Sequence, residues 1–267
     1  MPGGGVILGG TVKAGVYGVL DALTLFRGIR RTIGGETIRF PARWSRYYEA
    51  DYEAPTFEFL RRACRPGDTV LDVGAHIGLF SVVTARRVGP SGRVFSFEPT
   101  LESRQALQRV VALNGVQDVV EVRSEAVTER SGVGQFHSLR VAGANANSLV
   151  RSDRHQDVTC VPLVSIDDFL ADRARGRCQI LKVDAEGAEL SVLRGAQHTL
   201  RTARPSLWLA LHPSAIAAAG ASLGEIWDLL SAHAMRPQRD RAPLLRDWFC
   251  GQADLFDVEV SPVEDGP

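Results

Sequence analysis

Long uninterrupted apolar runs, paired cysteines and an excess of one charge are all missing from this 267-residue chain. Lysine plus arginine and aspartate plus glutamate both number 31. No broad positive field is therefore available to grip a nucleic-acid backbone. A small-molecule partner is expected, and no nucleic acid. The cysteines are Cys64, Cys160, Cys178 and Cys250, and no two stand at Cys-x-x-Cys spacing. That excludes a zinc knuckle and a thioredoxin-type pair. A chain of this length needs no disulfides, so all four are read as reduced thiols, mostly buried, in a cytoplasmic protein.

The nearest approach to a membrane span is the apolar stretch from Val6 onward, which Lys13 and Asp21 interrupt. A clean span wants ~20 apolar residues. The basic residues follow the stretch rather than precede it, and no small-residue cleavage site stands out, which argues against a secretory signal. Val12, Val16, Val19, Leu20, Leu23 and Phe26 recur at helical spacing. They predict an amphipathic helix packed on the domain or on a second copy of the chain, as in a homo-oligomer. The alternative is a membrane-surface anchor ending in Arg27, Arg30 and Arg31.

What is present is ordinary globular material, 45% hydrophobic and 23% charged. The order of elements is informative. A short strand is expected over Gly34 to Phe40, then an aromatic and acidic cluster (Trp44, Tyr47, Tyr48, Tyr52, Glu53) that becomes helical from about Pro55. Strands are expected at Thr69–Val73, Arg93–Glu98 and Val119–Arg123, with helices between them. A β-rich excursion follows. "SIDDFL" then carries a capping-box pattern, Ser165 with Asp168. Strand Gln179–Val183, a helix from about Gly187 to Leu200, strand Ser206–Leu211 and a helix from Leu223 to Ala234 come next. "APLLRDWF" and "ADLFDVEVS" read as two terminal strands. Alternating strands and helices imply an α/β fold of βαβ units with a parallel sheet. The expected division is an N-terminal helical and β-hairpin extension over 1–54, the main domain over 55–262, and a frayed tail over 263–267.

Chemistry concentrates at "VLDVGAHIGLFSVV" (70–83). A buried strand ends in Asp72-x-Gly74-x-x-x-Gly78 and turns into a helix. The stretch lacks the middle glycine of Gly-x-Gly-x-x-Gly and the lysine of a phosphate-binding loop. Gly74 allows a tight turn, and Ala75 and His76 lie in the loop. The free N–H groups of the next helix suit a carboxylate. Glu98, followed by Pro99, closes the second strand, where an acid suits a ribose diol. The site therefore wants a nucleoside that carries a carboxylate and no diphosphate, which describes S-adenosylmethionine.

"DTVLDVGAHIGLFSVV", "FSFEP", "VPLVSIDDFL" and "ILKVDAEGAELSVLRGA" resemble, in that order, the FkbM family of S-adenosylmethionine-dependent methyltransferases. The resemblance runs from about Tyr52 to His212. Asp184, Glu186, Gly187 and Glu189 in its last stretch match the family's most specific element. It implies the doubly wound, mostly parallel, seven-stranded Rossmann-like methyltransferase sheet and methyl transfer, usually to a hydroxyl of a natural product, sugar or polyketide. The family often has Asn where this chain has His76, and an acid where this chain has Ala210.

The remaining site residues are read from their positions. Ligands of open α/β sheets collect outside the carboxyl ends of the strands, which puts Asp72, Glu98, Asp184 and His212 on one rim. Lys182 and Asp184 in "ILKVD" need partners or a task, and an ion pair is the simple account of Lys182. His212 has the right pKa to take a proton from a hydroxyl, with Asp184 and Glu186 as the other candidates. Ser124, Glu125 and Ala126 are expected by the adenine. Tyr52, Glu53, Asn145, Asn147 and Ser148 are candidates for the acceptor side. Carboxylates on the rim could also hold a divalent metal, though no ligand set is legible. The competing functions are a nicotinamide-dependent oxidoreductase on a similar sheet and a non-catalytic cofactor-binding module.

Overall fold

A computed structural model describes residues 27–139, 147–151, 156–173 and 177–263. The expected N-terminal amphipathic helix, its second-copy or membrane-anchor role, Asn145 and the last four residues of the tail lie outside the described residues. No helix among the described residues is long and apolar enough to cross a membrane.

Strands β1 (Ile29–Ile33) and β2 (Glu36–Phe40) form an antiparallel hairpin about Gly34 and Gly35, both at positive φ. A 3-10 turn over Ala42–Tyr47 leads to α1 (Ala54–Ala63). The main sheet then begins with β3 (Thr69–Val73), α2 (Leu79–Val88), β4 (Arg93–Phe97), α3 (Leu101–Leu113) and β5 (Val120–Arg123). These match the strand–helix alternation of the sequence closely. The reason is that β-branched and aromatic runs here are bounded by Gly, Pro and Asn turns.

The excursion forms its own three-stranded sheet: β6 (Ala126–Val127), β7 (Gly132–Ser138) and β8 (Asp157–Val164), in the order β6-β8-β7. Ser165 then caps α4 (Ile166–Ala171) by accepting from the Asp168 N–H. The box is one-sided, because the Asp168 carboxylate turns instead to the Ser131 hydroxyl at 2.5 Å.

The second half contributes β9 (Ile180–Asp184), α5 (Glu189–Arg194), α6 (Gln197–Thr202), β10 (Ser206–Leu211), α7 (Pro213–Ala218) and α8 (Leu223–Ala232). The chain finishes with β11 (Met235–Arg239), the two-residue β12 (Ala242–Pro243), α9 (Arg246–Cys250) and β13 (Phe256–Pro262). Three expectations are corrected. The single helix over 187–200 is two, because a Cβ at Gly195 would lie 2.2 Å from the Thr128 carbonyl oxygen, and the Gly195 carbonyl accepts from the Asp167 N–H. "APLLRDWF" is strand only at Ala242–Pro243 and helix over its second half, with Phe249 turned wholly into the core. The outer neighbour of the last strand, which pairs with β10 on its inner side, is β11, whose Arg, Pro and Gln hide the usual apolar alternation.

Strand order in the main sheet is β12-β11-β13-β10-β9-β3-β4-β5. The five strands from β10 to β5 are parallel, and β13, β11 and β12 are antiparallel additions. The count of seven is reached with β11 in the place expected of "APLLRDWF", and β12 makes a short eighth at the edge. One face packs Val70, Val94, Val120 and Trp208 beneath the hairpin and α1 to α3. The other packs Leu71, Val73, Leu181, Leu207 and Leu209 against the later helices. Order reverses between β3 and β9, and crevices for ligands open at such switch points. Cys64 and Cys178 are buried and all four thiols are free, but Cys160 is exposed on β8.

The loops leaving β3 and β9 touch at the switch point. Gly74 sits at φ 74, and a Cβ there would fall 1.9 Å from the Asp184 carbonyl oxygen. Gly115, at φ 68 just after α3, has nothing within 4 Å of the same atom. Left-handed backbone alone costs a side chain about 1–2 kcal/mol. Gly115→Ala should therefore lower the melting temperature by only a few degrees. Gly74→Ala adds a backbone collision and should lower it by about 5 °C or more beyond that, at about 2–4 °C per kcal/mol, as differential scanning fluorimetry will show.

Candidate active site

Beneath the crevice lies a buried polar cluster. Lys182, 2% exposed, reaches Asp72 Oδ1 at 3.3 Å, Asp184 Oδ2 at 3.9 Å and the Gly74 carbonyl at 3.4 Å. Burial disfavours its charge, but Asp72 and Asp184 outweigh that and hold the ammonium above its ordinary value. Asp72 Oδ2 accepts from the Ser81 hydroxyl at 2.6 Å, and Ser96 donates to Ser81. Asp72 thus belongs to the foundation, one residue short of the strand end, and does not line the cavity. Its carboxylate is spent on Lys182 and Ser81. Removing one partner of such a buried pair typically costs about 3–5 kcal/mol.

Above this foundation is a cavity of about 870 Å³, open to solvent on one side. Gly74, Ala75 and His76 line it from the β3 loop, Glu98 and Pro99 from the β4 end, and Glu125 and Ala126 from the start of the excursion. Asp184 and Glu186 line it from the β9 loop. The sequence reading missed Phe136 and Leu149 of the apolar wall, which the small sheet brings over beside Val127, while Tyr48 and Tyr52 of the aromatic cluster line the opposite side. No motif marks these residues. Only the folding of the excursion over the sheet places them.

Gly78 and Ser124 do not line the cavity. A Cβ at Gly78 would meet Leu107 Cδ1 at 2.2 Å, so this glycine serves the packing of α3 against α2. Among the acceptor candidates, Tyr52 and Asn147 line the cavity, while Glu53 and Ser148 stand outside its wall. Asn147 donates to Thr100 Oγ1 at 3.2 Å and accepts from the Leu139 N–H at 2.9 Å. Ser148 donates to the Glu186 carbonyl at 2.7 Å, tying the small sheet to the β9 loop. Glu53, at φ 42 before α1, accepts from the Thr56 hydroxyl.

Glu98 is buried. Its Oε2 accepts from the His76 N–H and its Oε1 from the Thr100 N–H, both at 2.9 Å. Burial pushes its carboxyl up. The His76 ring shares a 2.9 Å hydrogen bond with the Tyr48 hydroxyl and stands edge-on to Trp44 at 5.7 Å. Burial brings His76 down to about 4, so it is neutral at neutral pH. Burial raises Glu125, but the Arg123 guanidinium bonded to it outweighs this and holds it below the usual range.

At the other end Asp184, Glu186 and His212 converge. His212 Nε2 lies 3.4 Å from Glu186 Oε2 and 3.8 Å from Asp184 Oδ1. Its Nδ1 donates to Glu189 Oε1 at 2.8 Å, and the Gly187 N–H also donates to that oxygen. Glu189 is fully buried in the first turn of α5. The sequence offered the helix dipole as its account, and its role in holding the imidazole was not legible. Burial lowers the His212 pKa, but the Glu189 hydrogen bond and the charges of Glu186 and Asp184 raise it more, to about 9. A ring held protonated at neutral pH behind two carboxylates must first release its Nε2 proton before it can accept one. Glu53 and Asp257 face the same charge. Burial first, and Asp184 among neighbouring carboxylates, push both up, Asp257 to about 6. Asp257 sits across β10 from Asp184, with Ala210 as the shared cross-strand neighbour.

A family profile described as the methyltransferase FkbM domain matches residues 72–237. The chain is 28% identical over 203 residues to the AMB antimetabolite synthetase AmbE of Pseudomonas aeruginosa, covering 63% of this chain and 9% of that protein. It is 26% identical over 211 residues to the 31-O-demethyl-FK506 methyltransferase FkbM of Streptomyces tacrolimicus, covering 67% of this chain and 77% of that protein. It thus spans under a tenth of the first relative and about three quarters of the second. Among solved structures, methyltransferase FkbM from Methylobacillus flagellatus KT aligns with a TM-score of 0.40 at 19% identity, over 59% of this chain and 40% of that one.

A folded-state pKa of about 9 against an ordinary 6.5 makes His212 stabilising when protonated. Its contribution is complete below about 6.5 and disappears as pH rises through about 9. In chelator-treated protein, the melting-temperature gap between wild type and His212→Gln should be widest near pH 6 and close towards pH 10. A pH-independent gap would contradict the charge assignment.

Proposed function

We propose, from the premise that this chain belongs to the FkbM methyltransferase family, that it moves a methyl group from S-adenosylmethionine to a hydroxyl oxygen on a small molecule such as a natural product, sugar or polyketide. The observation that carries the reading is the acid Glu98, buried at the β4 end yet lining a cavity whose far end is an anionic rim.

The residues present suit such a ligand from end to end. Two backbone N–H groups fix the Glu98 carboxylate and leave it lone pairs for a ribose diol. Ala126, Val127 and Phe136 offer an apolar slot for a base. No side chain caps α2, whose first residues Leu79 and Phe80 line the cavity, so its N-terminal N–H groups are available to a carboxylate. Asp184 and Glu186 supply negative charge where a positively charged ligand atom is favoured. Tyr48 and Tyr52 wall that end, and burial holds both phenols protonated and above their ordinary range.

S-adenosylmethionine supplies, when bound, an electrophilic methyl carbon on a cationic sulfur. This chain's part is to align an acceptor oxygen with that carbon and to help remove its proton. Alignment of bound reactants is worth up to about 7–11 kcal/mol. Asp184 and Glu186 line the anionic end of the cavity, where they are suited to draw off that proton directly or through bound water. His212 and Glu189 position them from behind.

Isothermal titration of S-adenosylmethionine should show binding at one site per chain. Glu98→Gln should weaken it about 10–100-fold, the value of about 1.5–3 kcal/mol for a hydrogen bond to a charged group. Absence of binding by the wild-type protein would overturn the reading. Transfer to oxygen is checked by mass and NMR analysis of methylated hydroxyl acceptors.

A further inference from the structure

The rim formed by Asp184, Glu186 and His212 has a geometry that acid–base work does not require. One oxygen from each carboxylate and Nε2 of the imidazole all lie within 4.8 Å of one another. The distances from Nε2, 3.4 and 3.8 Å, are close to the separation of adjacent ligands bound at about 2.1 Å to one ion, about 3–3.5 Å. The three come from different elements. Asp184 ends β9, His212 follows β10, and Glu186 lies between β9 and α5 in left-handed backbone at φ 49. Non-glycine residues at such angles cost of order 1–3 kcal/mol and cluster at ligand clamps.

A second observation comes from the opposite side of the imidazole. Glu189, fully buried, takes the His212 Nδ1–H at 2.8 Å and the Gly187 N–H at 3.0 Å on one oxygen. Its other oxygen, Oε2, is buried beside the cluster with no hydrogen-bond partner. A carboxylate on one ring nitrogen is the arrangement that fixes the tautomer of a metal-ligating histidine and turns the other nitrogen towards an ion. Charge points the same way. Asp72, Asp184, Glu186 and Glu189 are grouped around Lys182 and His212, and Lys182 is already engaged by Asp72.

We propose that Asp184, Glu186 and His212 bind a divalent cation of the Mg²⁺ or Mn²⁺ class at the anionic end of the cavity. Two carboxylates and one imidazole, whose Nε2 proton is released as the cation binds, suit these ions, and bound water or an acceptor hydroxyl completes the shell. The inference rests on the methyltransferase reading for its role, which is to lower the pKa of the acceptor hydroxyl. The hydroxyl proton passes to water. The oxygen then forms its bond to the methyl carbon as the carbon–sulfur bond breaks, with the electron pair staying on sulfur to leave a neutral thioether.

The test uses the full chain, stripped with EDTA, dialysed and titrated with MnCl₂ alone while the free-ion EPR signal is read. We expect one Mn²⁺ per chain with a Kd tighter than about 10⁻⁴ M, displaced by MgCl₂. Asp184→Asn and Glu186→Gln should weaken it at least tenfold, and Glu189→Gln, which touches no ion, by about tenfold. Thermal melts establish that each variant is folded. S-adenosylmethionine is titrated in parallel into the metal-free wild type. S-adenosylmethionine binding in the absence of any Mn²⁺ uptake by the wild type overturns the cation site and leaves the methyltransferase reading standing. Failure of both overturns the two together. Mn²⁺ binding that Asp184→Asn and Glu186→Gln leave unchanged places the ion elsewhere and overturns the assignment.

Discussion

The Lys182 ammonium is the interaction on which the arrangement depends. It lies between the two central strands, β3 and β9, with Asp72 on one side, Asp184 on the other and the Gly74 carbonyl above. An ammonium desolvated to this degree persists only because both carboxylates surround it. In return it ties the exit of β3 to the exit of β9, the two loops that form opposite walls of the cavity. The absence of a side chain at Gly74 lets those loops approach to backbone contact. The Phe80 ring, 5.3 Å from the ammonium, closes the remaining side. Position and charge are therefore set together, because the carboxylate that balances the lysine also faces the ligand.

Much of this was legible in the sequence. The parallel strands are short apolar runs between turn residues, so their limits were placed to within a residue or two. Glu98 was identifiable because an acid ending the second strand has few structural uses. Asp184, Glu186 and His212 were each named, but their convergence was not, since they are brought together only by the pairing of β9 with β10. Asp72 was misplaced for a related reason. Spacing identifies an acid near a strand end, but one residue of register decides whether it faces ligand or core. Glu189 had a sufficient local explanation in the helix dipole, which concealed its long-range partner. The terminal strand β11 carries Arg, Pro and Gln, so the signal for an edge element was absent.

The electrostatics of the cavity are uneven along its length. Glu98 and Glu125 are each compensated locally, the first by backbone N–H groups and the second by Arg123. The β9 end is not. Glu53 and Asp257 are raised by burial and by Asp184, and His212 is held protonated among three carboxylates. An environment that raises two carboxyls and a histidine at the same point is one that favours added positive charge. A nicotinamide-dependent reaction, which requires tight backbone approach to a diphosphate, gains nothing from this distribution.

The hinge between the cavity's halves also bears on how the molecule is made. Asp72 and Lys182 are 110 positions apart (182 − 72), yet they lie on neighbouring strands at the centre of the sheet. The entropic cost of closing so long a loop grows only slowly with its length, but central pairings of high sequence separation slow folding. An early fragment ending before β9 would hold the glycine turn and the Glu98 acid with no opposing wall. The binding site thus comes into being only at the step that joins the halves, and a ligand touching both recognises the finished molecule alone. Such a ligand would act as a clasp, opposing the reverse separation in proportion to how far its concentration exceeds its dissociation constant.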